Sequence, residues 1–115
     1  MAIDSDLLFV LTSNEIGSGP SDLGERLTEL LLESLAGAET RPARIIFLNS
    51  AVLLTTEGSP YLPVLRKLEE SGTELISCIT CLTYHDRMDA VAVGERGDMK
   101  GTVADLTGYR TVVTL

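Results

Sequence analysis

Short, uninterrupted apolar runs alternate with stretches whose leucines recur at helical spacing, and this alternation limits what the chain can fold into. The runs at 7–12 (Leu-Leu-Phe-Val-Leu-Thr) and 44–48 (Arg-Ile-Ile-Phe-Leu) lack the polar alternation of a strand with one wet face. They read as strands covered on both sides, as in a parallel sheet packed between helices. Between them, from Ser21, the residues Leu23, Leu27, Leu30, Leu31 and Leu35 recur at helical spacing, with Gly37 as the stop. Strand, helix and strand make a βαβ unit.

The rest of the chain repeats the pattern. Ser59 as N-cap and Pro60 at the first helical position open a second helix, with Leu62, Leu65 and Leu68 inward and Gly72 as its end. Residues 73–77 give a third strand, 90–93 a short fourth, 98–106 a last helix interrupted by Gly101, and 110–115 a fifth strand. The expectation is an α/β fold with a mainly parallel sheet and helical layers. A chain of 115 residues with 44% hydrophobic content suffices for a single domain spanning 1–115. Aromatic residues make up only 4%, so the core is expected to be aliphatic.

Charge and the amino-terminal segment narrow the function classes. A formal net charge of −8 offers no basic stripe for nucleic acid or an anionic membrane, so neither is an expected partner. No basic segment precedes the first apolar run, and residues 7–11 are too short for a signal or membrane segment, which points to a cytoplasmic protein.

In parallel sheets, chemistry gathers beyond the carboxyl ends of the strands. The loops there are 14–20, 49–56, 78–84 and the segment from Gly94. The third holds both cysteines, as Cys78-Ile79-Thr80-Cys81, where a strand gives way to a short helix. A helix amino terminus favours the thiolate, and a cytosolic C-x-x-C more often serves redox, persulfide or metal chemistry than a structural disulfide. His85, four residues after Cys81 and seven after Cys78, shares their face if the segment is helical. With Arg87 it is expected to hold a thiolate or move a proton. Asn49 and Ser50 are either turn and capping residues or hydrogen-bond partners of a sulfur or substrate at Cys78. Asn14 opens the first of these loops and joins Asn49, Ser50 and Arg87 as a candidate substrate-binding residue.

Other chemistries find less support. A structural zinc site needs four ligands, and the chain offers only two cysteines, Cys78 and Cys81, with His85 and Asp86 as the sole nearby additions; no metal is expected, and no motif calls for a cofactor. The loop Gly17-Ser18-Gly19-Pro20-Ser21 matches no dinucleotide or phosphate-loop motif, and Asp22 opposes an anion there. A thioredoxin-like oxidoreductase would carry its C-x-x-C near the start of the fold. The remaining alternative is a non-catalytic binding or assembly module in which the cysteines are buried hydrophobes or metal ligands. Tyr61, Tyr84 and Met88 are candidates for either an interface or the core.

Several segments carry a family resemblance: Leu48-Asn49-Ser50-Ala51-Val52, Leu54-Thr55-Thr56-Glu57-Gly58-Ser59, Ser77-Cys78-Ile79-Thr80-Cys81-Leu82, Ala92-Val93-Gly94-Glu95 and Val112-Val113-Thr114-Leu115. Over nearly its whole length the chain resembles the DsrE-like domain of YedF-type proteins, which are sulfurtransferase-like and linked to selenium metabolism. The resemblance implies a three-layer α/β/α sandwich with a five-stranded sheet and assembly into trimers or hexamers. It also implies sulfur relay, with a persulfide on Cys78 and Cys81 matching the second cysteine of the family's C-G-T-C pattern; in the mechanism expected here Cys81 resolves the persulfide. The TusA-like domain usual in such proteins is absent from this sequence; sulfur donor and acceptor proteins are the expected partners, a TusA-like carrier being one candidate. Ile79 and Ala51 stand where the family pattern has glycine, which restricts the backbone around a substrate.

Overall fold

The structure, a computed structural model, describes residues 2–115. Strands β1 (Ala2–Leu11), β2 (Thr40–Phe47), β3 (Glu74–Cys78), β4 (Glu95–Gly97) and β5 (Thr111–Thr114) alternate with helices α1 (Ser21–Ala36), α2 (Leu62–Glu70), α3 (Ile79–Tyr84) and α4 (Met99–Gly108). They form one sheet in the order β4-β3-β2-β1-β5, with every neighbouring pair parallel. The chain steps in one direction from β1 to β4, so right-handed crossovers place α1 and α2 on one face. It then crosses back to β5 through α4 on the other face.

The two faces are covered unequally. On the first, Leu32 of α1 and Leu65 and Leu68 of α2 pack with Ile45 and Phe47 of β2 and Leu75 of β3. On the second, Leu8, Val10 and Ile46 are buried beneath Ile76, Tyr109 and Val112. Arg44 of β2 reaches Asp105 of α4 at 2.8 Å and Glu74 of β3 at 3.1 Å, fixing α4 to this face. Ile45, Ile46 and Phe47 are fully buried, each stabilising the fold by roughly 1.5–3 kcal/mol. The uninterrupted run of β2 is thus explained by helices on both sides.

Several boundaries and faces differ from the sequence expectation. Strand β1 begins at Ala2 rather than at residue 7, and its register against β2 shifts between Asp4 and Leu8. The fourth strand lies at Glu95–Gly97, not at 90–93: Val91 makes only an isolated antiparallel bridge to Thr56. Gly94 sets this displacement. Its φ of +74° turns the chain, and a Cβ there would stand 2.4 Å from the Leu75 carbonyl oxygen, so β4 starts only after it. Helix α2 begins at Leu62, with Pro63 in its first turn. Ser59 caps a preceding turn instead, accepting the Tyr61 N–H at 3.1 Å.

Helix α1 is rotated relative to its leucine pattern. Its buried stripe is Gly24, Thr28 and Leu32, with Leu31 and Leu35 packed beside it, while Leu23, Leu27 and Leu30 are exposed. A Cβ on Gly24 would meet the Glu15 side chain at 2.8 Å, so the small residue lets the helix approach the loop after β1. Thr28 Oγ1 then accepts the Ile16 N–H at 3.2 Å and donates to the Gly24 carbonyl at 2.9 Å. Close approach and hydroxyl tethering override the bulkier leucine stripe. Leu32→Ala should therefore lose about 2–5 kcal/mol in urea unfolding, and Leu23→Ala no more than about 0.5 kcal/mol. Equal losses would contradict this helix orientation.

Candidate functional site

Strand β2 ends in a polar pair and β3 in a cysteine, and the two ends lie side by side because the strands are paired in register, Phe47 opposite Ser77. Beyond β2 the chain enters a 3-10 turn, Asn49–Leu54. Asn49 adopts φ +55°, a left-handed conformation that asparagine tolerates better than most residues. In this conformation its backbone N–H donates to Cys81 Sγ at 3.0 Å. A buried hydroxyl pair, Thr55 Oγ1 and Ser77 Oγ at 2.7 Å, locks the end of this turn to β3 just before Cys78. The Thr55 carbonyl also accepts the Ala92 and Val93 N–H groups, tying in the segment that leads to β4.

Cys78 is the N-cap of α3 and Cys81 the third helical residue. Cys78 makes no side-chain cap hydrogen bond, but its thiol lies within one helical turn of Cys81 and close enough to raise the Cys81 pKa. Their environments differ. Cys78 is only 2% exposed, whereas Cys81 is half-buried and lines an open cleft of about 580 Å³. Leu48, Asn49, Thr80, Tyr84, His85 and Met99 complete the lining. Burial is the largest influence on the Cys81 thiol and pushes its pKa up; the Asn49 N–H pulls it down, and the Cys78 contact raises it again. The strongly activated thiolate expected from the helix terminus is therefore not what the environment of Cys81 produces.

Each sequence candidate can now be placed. His85 joins Cys81 in the cleft, its ring edge-on to Tyr84 with centroids 5.2 Å apart. Asn49 meets sulfur as expected, but through its backbone and at Cys81. Ser50 Oγ accepts the Asn14 N–H at 3.2 Å, and Arg87 donates to the Glu57 carbonyl at 3.3 Å. Asn14, Ser50 and Arg87 are absent from the cleft lining and hold neighbouring loops together. Ala51 is fully buried in the core, and Ile79, though exposed, is not among the lining residues. Neither departure from glycine fills the cleft. Tyr84 is 85% exposed, while Tyr61 and Met88 pack against the core.

Sequence reasoning missed Leu48, Thr80 and Met99. Position after β2 signals Leu48, and the place of Thr80 between the two cysteines signals the second; Met99 comes from α4, which no local pattern shows. The cleft has no carboxylate and no Lys or Arg in its lining despite the acidic charge of the chain. Among the described residues, no group of three His, Cys, Asp or Glu converges to hold a metal ion, and no helix is long and apolar enough to cross a membrane.

No family model matches the chain, and no curated protein matches it in sequence. Among solved structures it is similar to the YchN protein of E. coli, with a TM-score of 0.67 and 17% identity over 97% of this chain and 100% of that one. It is also similar to MTH1491 of Methanobacterium thermoautotrophicum, described as a protein of unknown function, with a TM-score of 0.72 and 16% identity over the same shares. The likeness shows the fold: an α/β/α sandwich on a five-stranded parallel sheet.

The Asn49 contact yields a direct test. Asn49→Gly keeps the left-handed backbone and should leave the pH profile of Cys81 alkylation in place. Asn49→Val disfavours that conformation by about 1–3 kcal/mol and should move the profile to higher pH by withdrawing the amide from the thiolate. Identical profiles for the two variants would remove Asn49 from the site.

Proposed function

We propose that this protein is an intracellular sulfur or selenium relay of the YedF type, carrying a persulfide on its C-x-x-C pair with Cys81 as the sulfur that meets donor and acceptor. One observation carries the reading: Cys81 faces an open cleft with a backbone N–H on its sulfur, while Cys78 lies buried behind it. The order in which the chain presents its two sulfurs thus favours Cys81 over Cys78 as the loaded residue.

The step follows from the geometry. The Cys81 thiolate attacks the outer sulfur of a donor persulfide, R–S–SH, and the donor leaves as its thiolate, giving Cys81–S–SH. Because burial raises the Cys81 pKa, only a minor fraction is ionised near neutral pH. The Asn49 amide stabilises that fraction, and His85 is placed to exchange a proton at the cleft. An acceptor thiol then takes the outer sulfur. A neutral cleft suits a persulfide brought by another protein, such as a TusA-like carrier. The exposed stripe Met99, Val103 and Leu106 on α4 beside it, and the leucines of α1, supply apolar surface for association between copies, in keeping with a cytoplasmic homo-oligomer.

The raised Cys81 pKa also favours a second reading, a non-catalytic binding module. The two separate in one experiment: reduced protein is treated with glutathione persulfide and fragmented for mass analysis. The relay reading expects an added sulfur on Cys81, retained in Cys78→Ser and lost in Cys81→Ser. No adduct on any variant, with both thiols slow to alkylate, would establish the binding module instead.

A further inference from the structure

Cys78 is a buried nucleophile that external sulfur transfer does not use. At 2% exposure it has no face from which a terminal sulfur could be handed to another protein. A reactive neighbour is the Cys81 thiol: as N-cap and third residue of α3 the two cysteines lie within one turn, close enough for their thiols to interact. The Ser77 hydroxyl before it is engaged by Thr55, and Leu82 in the next turn is fully buried, so the segment has little freedom to turn Cys78 outward. Such a thiol is out of reach of solution reagents yet adjacent to any sulfur loaded on Cys81.

Resting on the relay reading, we propose a further activity: Cys78 discharges the Cys81 persulfide internally, releasing hydrosulfide. The Cys78 sulfur attacks Cys81 Sγ, the inner atom of Cys81–S–S⁻. A Cys78–Cys81 bond forms as the bond from Cys81 Sγ to the outer sulfur breaks. The electron pair leaves with the outer sulfur, which takes the Cys78 proton and departs as HS⁻. The sulfane sulfur is reduced to sulfide while the two cysteine sulfurs are oxidised to a disulfide. An external dithiol reduces that disulfide, becoming oxidised itself, and returns both thiols for another cycle. The attack of one thiol on the inner sulfur competes with delivery to an outside acceptor. Cys78 thereby sets how long the sulfur is held.

The test treats reduced wild-type protein, Cys78→Ala and Cys78→Ser with glutathione persulfide, removes excess donor, and follows acid-quenched intact mass and free sulfide together. In wild type, the mass of the added sulfur should give way to the loss of two hydrogen atoms, with sulfide appearing in step and fragmentation locating a Cys78–Cys81 disulfide. Both variants should keep the sulfur on Cys81 and lose this sulfide release. A wild-type adduct that persists as long as that of the variants, without disulfide, overturns the inference and leaves the relay reading intact. Absence of any Cys81 adduct overturns both. The wild-type disulfide and sulfide readings decide the matter even if a variant fails to fold.

Discussion

Burial of both faces of β2 is the constraint on which the molecule depends. Ile45 and Phe47 point into the layer of α1 and α2, and Ile46 packs on the opposite face with Leu8, Val10, Tyr109 and Val112. With both faces closed and neighbours on both edges, the strand's remaining outlet is its ends. At the carboxyl end the backbone must leave the sheet abruptly, and it does so through the left-handed Asn49. The same requirement acts on β3, which turns at Cys78 directly into α3. The site is thus a product of two buried strands ending next to each other.

Much of this was legible in the sequence because apolar runs report burial faithfully. The runs at 7–12 and 44–48, the inward residues Leu65 and Leu68, and the C-x-x-C at a strand–helix junction all stand where the pattern put them. The departures from the hydropathy pattern share a cause. Leu23, Leu27 and Leu30 outweighed Gly24 and Thr28 in hydrophobicity, yet close approach to Glu15 and a threonine hydrogen bond fixed the rotation of α1. Likewise 90–93 looked like a strand because it is apolar, whereas Gly94 and the Thr55 carbonyl hold that segment as a loop in which only Val93 is buried. Backbone geometry and tertiary hydrogen bonds leave little trace in hydropathy.

The site shows a sharper limit. Spacing identified Cys78, Cys81 and His85 as a group, but the inward and outward order of the two sulfurs depends on how the N-cap of α3 sits against the core. Cys78, as N-cap, is drawn into the end of β3; Cys81, one turn on, looks into the cleft. Electrostatics follow from the same placement: the sulfur at the cleft is still buried enough for desolvation to outweigh the Asn49 amide. A thiol held mostly protonated is slow toward indiscriminate electrophiles. For the proposed relay, its productive partner is one that docks, excludes water and presents a persulfide at short range.

The most direct measurement of this account is the order in which the two cysteines of the native, reduced protein react with iodoacetamide across pH, resolved by fragmentation and repeated after unfolding. Cys81 labelling that begins first and rises with pH through the alkaline range, with Cys78 protected until the protein unfolds, is the predicted result. Labelling of Cys78 before or together with Cys81 in the folded protein would contradict it.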